Sequence, residues 1–554
     1  MAANTGSATP TYEQWLEQRI EARRERYPDL PHPRQFSIVT AVWNTNPALL
    51  QACANSLLGQ EGAENVEWIL VDNGSNAPET VRLLEGFAKR ANVRVIRFAQ
   101  NLGIFRAMRI GLESAAGRYV LPLDHDDLLV RDCLRVFATA VRKHSEPAFL
   151  FSDEDLLIEG VPRLPYLRPD WDPVLNLASS YIWHAYAVRR DVALACDFYH
   201  DPGAEFCHDW DATMRLWQAG HSMVHVPEVL YHWRQHAESS TGKADPAVGS
   251  INSVRHILER FTARIPRPER YRVEDFPIFR GAREMYVLRN EFAADPIDLL
   301  VLGGDPTRIG ALLDSLLATW HFPIREIGVW SPEPLDEAAL QAFHGVLLGA
   351  AQRARISTTP RLFTDCPLSV ATQALGAGLC AVLSQDLLAA NTQTPWEALK
   401  HFEFFLDLGA IGGRILERDG RVADAGSIVL EDGRRHFVFA GLDQADPGVF
   451  ALALKPQTLD CPSLDAFFVR REILLAATAP AHAPVSIAQL AIAAGVEARN
   501  AGQRIAMSPL IQLRLQDGAA AQRASASWTE PAPAPPSARR VSEMGFVALA
   551  GQFH

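Results

Sequence analysis

"FSIVTAVWNTNPALLQACANSLLGQ", residues 36–60, decides how the first half of this chain is read. Residues 36–43 are a near-continuous β-type run, the pattern of a strand buried on both faces. Residues 46–60 change period, and their apolar side chains fall at helical spacing. The alternation continues downstream. "VEWILVDNGS" (66–75) reads as a second strand ending in a polar turn, 78–91 as a helix, and "VRVIRFAQN" (93–101) as a third strand. "IFRAMRIGLESAAG" (104–117) is a helix with Ile104, Met108, Leu112 and Ala115 on one face, and "RYVLPL" (118–123) is a fourth strand. This order predicts an α/β fold with a mostly parallel, doubly wound sheet. In such sheets ligands bind beyond the C-terminal strand ends. Thr40–Asn44, Asp72–Ser75 and Asp124–Asp127 all stand at such ends, so three polar clusters are expected to converge on one crevice.

The chain of 554 residues is too long for one core, and two or three domains are expected. Its 48% hydrophobic and 21% charged residues are those of a soluble globular protein. A net charge of −12 argues against a nucleic-acid footprint. The seven cysteines include no CxxC pair, which points to a reduced, cytoplasmic setting without a disulfide framework or zinc site. No window approaches the roughly 20 apolar residues that span a bilayer, so membrane contact is expected only at the periphery. From about residue 295 the pattern repeats with its chemistry lost. "PIDLLVLGGDPTRIGALLDSLLATW" echoes the first strand and helix, and "ALGAGLCAVLSQDLLAA" (374–390) echoes "SAAGRYVLPLDHDDLLV", with Asp386 alone where the first copy has a cluster. The expected organisation is an N-terminal helical extension (1–34), a first α/β domain (35–290), a degenerate second copy (295–517) and an Ala/Pro-rich tail (518–554).

The residues of the first copy admit both plain and functional readings. Asp124 and Asp126 form a D-x-D pair suited to a hard divalent cation and a diphosphate, whereas the same carboxylates, Asp127 above all, suit the cap of a following helix. Asp72 can accept the N–H of a pyrimidine or simply hold the "DNGSN" turn. Trp43 can stack on a base or fill the core. Asn101 and Gly103 precede a helix N-terminus, where a loop can pass close to phosphate, and Arg106 or Arg109 could pair with it. Asp209, in "CHDWD", is a candidate general base that also suits a helix start. His236 could complete a metal shell beside the carboxylates. Ser239, Ser240 and Thr241 read as a polar loop.

Taken together, "SIVTAVWNT", "LVDNGS", "NLG…AAGRYVLPLDHDDLL", "FSDEDLL", "LRPDWDP", "HDWDATMRLW" and "VLYHWRQHAESST" resemble, in order, a family 2 glycosyltransferase catalytic domain of the GT-A fold, over residues 36–243. The subset "SDED…PDW…LYHWR" resembles bacterial enzymes that build O-antigen or other surface polysaccharides. The resemblance implies an inverting, metal-dependent sugar transfer with Mn2+ or Mg2+. It implies a nucleotide-diphosphate sugar donor, UDP- or dTDP-linked for preference, and a saccharide or lipid-linked glycan acceptor. It assigns Asp209 as catalytic base. It assigns Thr40, Trp43, Asp72, Asn101, Gly103, Arg106, Asp124, His125 and Asp126 to the donor, and Asp124, Asp126 and His236 to the metal. Asp153, Glu154, Trp171 and His208 fall on the acceptor side. His208 stands where the family prefers Glu, and Trp43 where it prefers Tyr. The implied setting is cytoplasmic, compatible with peripheral contact at the inner membrane and with a homo-oligomer. Two rivals remain: a sugar-nucleotide-binding scaffold without turnover, and a nucleotidyltransferase, for which "AVWNTNP" lacks the usual Gly-rich basic loop. The second copy, without the donor-binding set, is expected to be non-catalytic.

Overall fold

The computed structural model describes residues 11–236, 248–279, 284–354, 360–429, 434–479 and 483–519. The polar segment 239–241 and nearly all of the expected tail lie outside the described residues. The chain divides into two compact units between Phe261 and Thr262.

The first unit begins with α1 (Tyr12–Ala22), followed by β1 (Phe36–Val42), α2 (Pro47–Leu58), β2 (Glu67–Asp72), α3 (Pro78–Phe87), β3 (Val93–Arg97), α4 (Ile104–Ser114) and β4 (Tyr119–Pro122). Then come β5 (Leu128–Leu129), α5 (Cys133–Lys143), β6 (Phe149–Ile158), β7 (Val161–Tyr166), α6 (Pro173–Ala178), β8 (Tyr186–Arg189), α7 (Arg190–Ala195), α8 (His208–Gln218), β9 (Met223–Gln235) and α9 (Val248–Thr262). Local chemistry explains the boundaries. Asn46 accepts the Ala48 N–H and Pro47 opens α2, whose Leu50, Cys53, Ala54 and Leu57 form the buried stripe. In α4, Gly111 lets the helix lie against β1, since a Cβ there would meet Val39 Cγ1 at 2.2 Å.

The strands form one sheet in the order β3-β2-β1-β4-β8-β6-β9-β5, with β7 added to β6. Pairing is parallel from β3 to β4, antiparallel at β8, and parallel again between β6 and β9. The register aligns the strand ends: Val42 lies beside Asp72, and Asp72 beside Arg97. The three polar clusters thus leave the sheet along one edge, as the crossover pattern requires.

The N-terminal helix packs onto this unit. Thr11 and Gln14 form a capping box, and Leu16 and Ile20 pack with Val130, Leu167 and Val229. Arg23, fully buried, pairs with Asp132 and, at 3.3 Å, with Glu228.

The second unit repeats the topology. Its strands are β10 (Tyr271–Asp275), β11 (Met285–Arg289), β12 (Ile297–Leu302), β13 (Ile324–Trp330), β14 (Arg361–Phe363), β15 (Leu379–Ser384) and β16 (Leu387–Ala389). They continue with β17 (Leu408–Leu416), β18 (Val422–Asp424), β19 (Ser427–Val429), β20 (Arg435–Phe437), β21 (Gln457–Leu459), β22 (Ala466–Arg470) and β23 (Arg504–Leu515). The main sheet runs β14-β13-β12-β15-β22-β17-β23-β16, with β18 on β17 and β21 on β23. Position by position this is the order of the first sheet, so the weak sequence echo is a true repeat of fold.

The division falls earlier than the expected 290/295. The β10–β11 hairpin belongs to the second unit because its side chains are bound there. Tyr286 donates to Glu397 (2.9 Å), Arg289 to Glu403 (2.8 Å), and Lys400 Nζ to the Val287 carbonyl (3.0 Å). All are contacts that hydropathy alone does not register.

Candidate active site

The turn after β2 organises the crevice. Asp72 is buried; its Oδ1 accepts the Ser75 N–H at 2.9 Å and its Oδ2 lies 3.2 Å from Arg97 Nε. Asn73 donates to Asn101 Oδ1 (2.8 Å) and the Gly103 carbonyl (3.1 Å), and accepts from Leu102 N–H (2.8 Å). Gly74 adopts φ +81°, and a Cβ there would sit 2.4 Å from the Gln100 carbonyl carbon, so only glycine allows this approach. Asn44 tethers the loop after β1 to the same turn by accepting from Asn76 and Ala77 N–H. That loop leaves Trp43 54% exposed, which removes the core reading for this tryptophan. Arg106 is exposed in the first turn of α4, whereas Arg109 turns away to Glu113 (2.7 Å) and the Phe198 carbonyl (3.0 Å).

Thr40 is a correction. It shares the face of Ile38 and Val42, is fully buried, and accepts from Trp68 Nε1 at 3.0 Å. Strand alternation points it into the core rather than into the crevice.

The four residues after β4 divide differently from expectation. Asp127 caps no helix: α5 starts at Cys133 after Asp132. Its buried carboxylate instead accepts from Tyr231 Oη (2.8 Å) and the Arg234 N–H (2.7 Å). Burial, then Asp124, pushes Asp127 up to about 8, with His184 and the Arg234 amide opposing. Asp126 pairs with His236 Nε2 at 2.7 Å and lies 3.4 Å from His125 Nδ1. The side chain of Asp124 is 46% exposed and accepts no hydrogen bond from the described residues; its neighbour is His184 Nε2 at 3.7 Å.

His184 is the residue that sequence reasoning missed. Asp124, Asp127 and His184 bring ligand atoms within 4.8 Å of one another, a grouping able to hold a metal ion. The reason is register. β8 is antiparallel to β4, with Val120 opposite Val188 and Tyr119 opposite Arg189. Continued past the strand end, that pairing sets residue 184 across from residue 124. The signal was a histidine just before a strand, legible only once the strand's partner is known. The Glu154 carboxylate (3.2 Å from Nδ1) and the Tyr231 ring (centroids 5.1 Å, 5°) hold the imidazole. Burial lowers its pKa, but Glu154, Asp124 and Asp127 outweigh this and bring it to about 9.

Asp153 and Glu154 do not face an acceptor. Both are 1% exposed. Asp153 accepts from Arg168 N–H (2.8 Å) and faces His225 Nε2 (3.1 Å). Glu154 meets Arg168 Nη2 at 2.7 Å; although burial raises its pKa, Arg168 and His184 bring it down to about 2. The "SDED" carboxylates are therefore internal ion pairs of β6, and Asp155 completes the set with His232 (2.5 Å) and Tyr12 (2.7 Å).

Asp209 lies in the first turn of α8 and accepts from Ser180 Oγ at 3.3 Å. Burial raises its pKa, while His208 and the Trp210 amide oppose the rise. Asp124 and Asp209 both act on the buried hydroxyl pair of Tyr186 and Tyr199 (2.6 Å apart), and His184 acts on Asp209. His208 packs against Tyr199 (5.4 Å), and half-buried Trp171 stacks on Tyr181 (6.3 Å).

At the matching strand end of the second unit, Asp386 pairs with Arg308 (2.5 Å) and Gln385 accepts the Asp305 N–H (2.9 Å). A Cβ on Gly303 would strike Gln385 Oε1 at 2.2 Å. The protein's own side chains fill the place of the acidic cluster.

Residues 37–152 match the model of Glycosyl transferase family 2. The uncharacterized protein y4gI of Sinorhizobium fredii is 25% identical over 494 residues, 86% of this chain and 52% of that protein. The O-antigen biosynthesis protein RfbC of Myxococcus xanthus is 29% identical over 319 residues, 56% of this chain and 24% of that protein. The chain thus spans about half the length of the first and a quarter of the second. Among solved structures, S. aureus TarS 1-349 in complex with UDP-GlcNAc aligns over 42% of this chain and 67% of that one, at 19% identity and a TM-score of 0.35. No described helix is long and apolar enough to cross a membrane. The family match lies on β1 to β6, beside the aligned polar strand ends, so residues 37–152 of the first unit are similar to Glycosyl transferase family 2.

Proposed function

We propose that the first unit transfers a sugar, with inversion, from a nucleotide-diphosphate donor to a hydroxyl of a saccharide or lipid-linked glycan, in the assembly of a bacterial surface polysaccharide. The observation that carries this reading is the acidic end of β4, where Asp124, Asp127 and His184 gather at the strand edge inside the stretch that matches Glycosyl transferase family 2. It supports a donor-binding carboxylate, with Asp209 as the proton acceptor. Asp209 takes the proton of the acceptor hydroxyl as the new C–O bond forms, while the bond from the anomeric carbon to the diphosphate breaks. Burial raises its proton affinity above that of an exposed aspartate, and Ser180 orients it through one oxygen. Trp43 stacks on the base of a UDP- or dTDP-type nucleotide, Asp72 anchors the nucleoside, and Arg106 faces the diphosphate.

The residues present fit a divalent cation. Asp124 offers carboxylate oxygens that accept no hydrogen bond from the described residues, Asp126 stands beside His236, and Asp127, raised first by burial and then by Asp124, would be eased by a positive charge. Bound there by Asp124, Asp126 and His236, Mn2+ or Mg2+ would neutralise charge developing on the diphosphate. The second unit, with its crevice filled, is read as non-catalytic, serving acceptor positioning or self-association. The site of action is cytoplasmic, at the periphery of the inner membrane.

The test is nucleoside diphosphate release from a panel of nucleotide sugars with Mn2+ or Mg2+. Asp209→Asn should lower turnover by about 10²- to 10⁴-fold with donor binding retained. Wild-type turnover in that variant would refute the assignment.

A further inference from the structure

Three carboxylates follow one another on β6, and each has a different basic partner. The middle pair lies behind His184, whose Nε2 faces Asp124 at 3.7 Å. Arg168 is fully buried and fixed by carbonyls: Nε donates to Tyr181 O at 2.7 Å and Nη1 to Ser152 O. Its remaining nitrogen, Nη2, meets Glu154 Oε2 at 2.7 Å. The same Glu154 oxygen faces His184 Nδ1 at 3.2 Å. A buried carboxylate held by a guanidinium has one place to be, and it accepts the Nδ1 proton. That fixes the plane of the ring, leaving Nε2 turned to Asp124.

The opposite face of His184 is fixed as well. Its ring stacks nearly parallel on Tyr231, whose hydroxyl accepts the Asp124 N–H at 3.2 Å and donates to Asp127 at 2.8 Å. Trp233 closes a further side, with ring centroids 5.0 Å apart. Asp124 is thereby held at its backbone through Tyr231 and neighboured at its carboxylate, at 3.7 Å, by His184. No hydrogen bond from the described residues orients that carboxylate.

We propose that Arg168, Glu154 and His184 form a positioning chain that sets the Asp124 carboxylate for the diphosphate end of the donor. Arg168 and Glu154 are positioning residues acting through His184. The inference rests on the reading of Asp124 as a donor-binding residue, and it replaces the acceptor-side role expected for Glu154. The chain exists because antiparallel β8 sets residue 184 across from residue 124, while β6, paired with β8, carries Glu154 behind the ring.

The experiment measures UDP affinity in the presence of Mn2+ by calorimetry on the full chain, with melting curves as a check of folding. Four variants suffice: Asp124→Asn, Glu154→Gln, His184→Asn and His184→Gln. Asp124→Asn tests the donor reading and should abolish measurable binding. Loss of an outer partner of this kind typically costs about 10- to 100-fold in affinity, which is the effect expected of Glu154→Gln and His184→Asn. His184→Gln places an amide nitrogen near the position of Nε2 and should restore much of the loss; a merely structural role predicts no such rescue. In protein labelled with 15N in the histidine rings, Glu154→Gln should also shift the His184 Nδ1 resonance. If Asp124→Asn abolishes binding while folded His184→Asn and Glu154→Gln bind as wild type, the positioning chain is wrong and the donor reading stands. If Asp124→Asn itself binds as wild type, the donor reading falls and the chain falls with it.

Discussion

Replacing Asp127 by Asn isolates the electrostatic cost of the acidic cluster. The carboxyl is buried under Tyr231 and the Arg234 amide, and burial, then Asp124, raises it from the usual carboxylate range to about 8. A folded-state pKa above the unfolded one means that the native state keeps a proton which the unfolded chain releases. The stabilising contribution is therefore greatest in acid, and it is lost as pH rises from about 4 to about 8. Within that window the slope approaches 1.4 kcal/mol per pH unit, so between pH 6 and pH 8 the wild type should lose about 2 kcal/mol relative to Asp127→Asn. The amide is nearly isosteric, and its oxygen can still accept from the Arg234 N–H, so other titrating groups cancel in the difference. The assay is denaturant-dependent hydrogen exchange of peptides spanning residues 119–143, in chelator, at pH 6, 7 and 8. It reads the first unit apart from the second. Parallel pH profiles for wild type and variant would refute the claim that the cluster is strained without a cation. Mn2+ in place of chelator should narrow the difference at pH 8.

Two further predictions concern the frame of the site. Gly74→Ala meets both a φ of +81° and a contact at 2.4 Å with Gln100, so it should destabilise the first unit by about 1–3 kcal/mol and weaken UDP binding; an unchanged melting curve would count against the described turn. Arg23→Met removes the partner shared by Asp132 and Glu228, which keep Arg135 (3.0 Å) and Arg19 (2.8 Å), and should cost about 1.5–3 kcal/mol in a urea titration. A cost below about 1 kcal/mol, the scale of an exposed pair, would show that α1 is not clasped as described.

Sequence by itself determined the strand–helix alternation of residues 36–123, the convergence of the strand ends and the existence of a second, altered copy. These are local properties. Period and turn chemistry are written residue by residue, and the crossover rule carries them to one edge of the sheet. The acidic end of β4 was legible for the same reason, whereas Trp43 read as core or as a stacking surface until the loop after β1 exposed it. What only the tertiary structure decided depends on pairing across long separations. Thr40 and the "SDED" carboxylates look as polar as Asp124 in the sequence, yet the pleat and β6's partners bury them. Asp127 reads as a cap until β9 supplies Tyr231 and Arg234 from about a hundred residues away. His184 gains its place from the antiparallel register of β8 on β4, and the β10–β11 hairpin joins the second unit through the Arg289–Glu403 ion pair and the hydrogen bonds of Tyr286 and Val287. A side chain's chemistry is set by which strand lies beside it, and in a mixed sheet that neighbour is chosen by the packing of the whole unit.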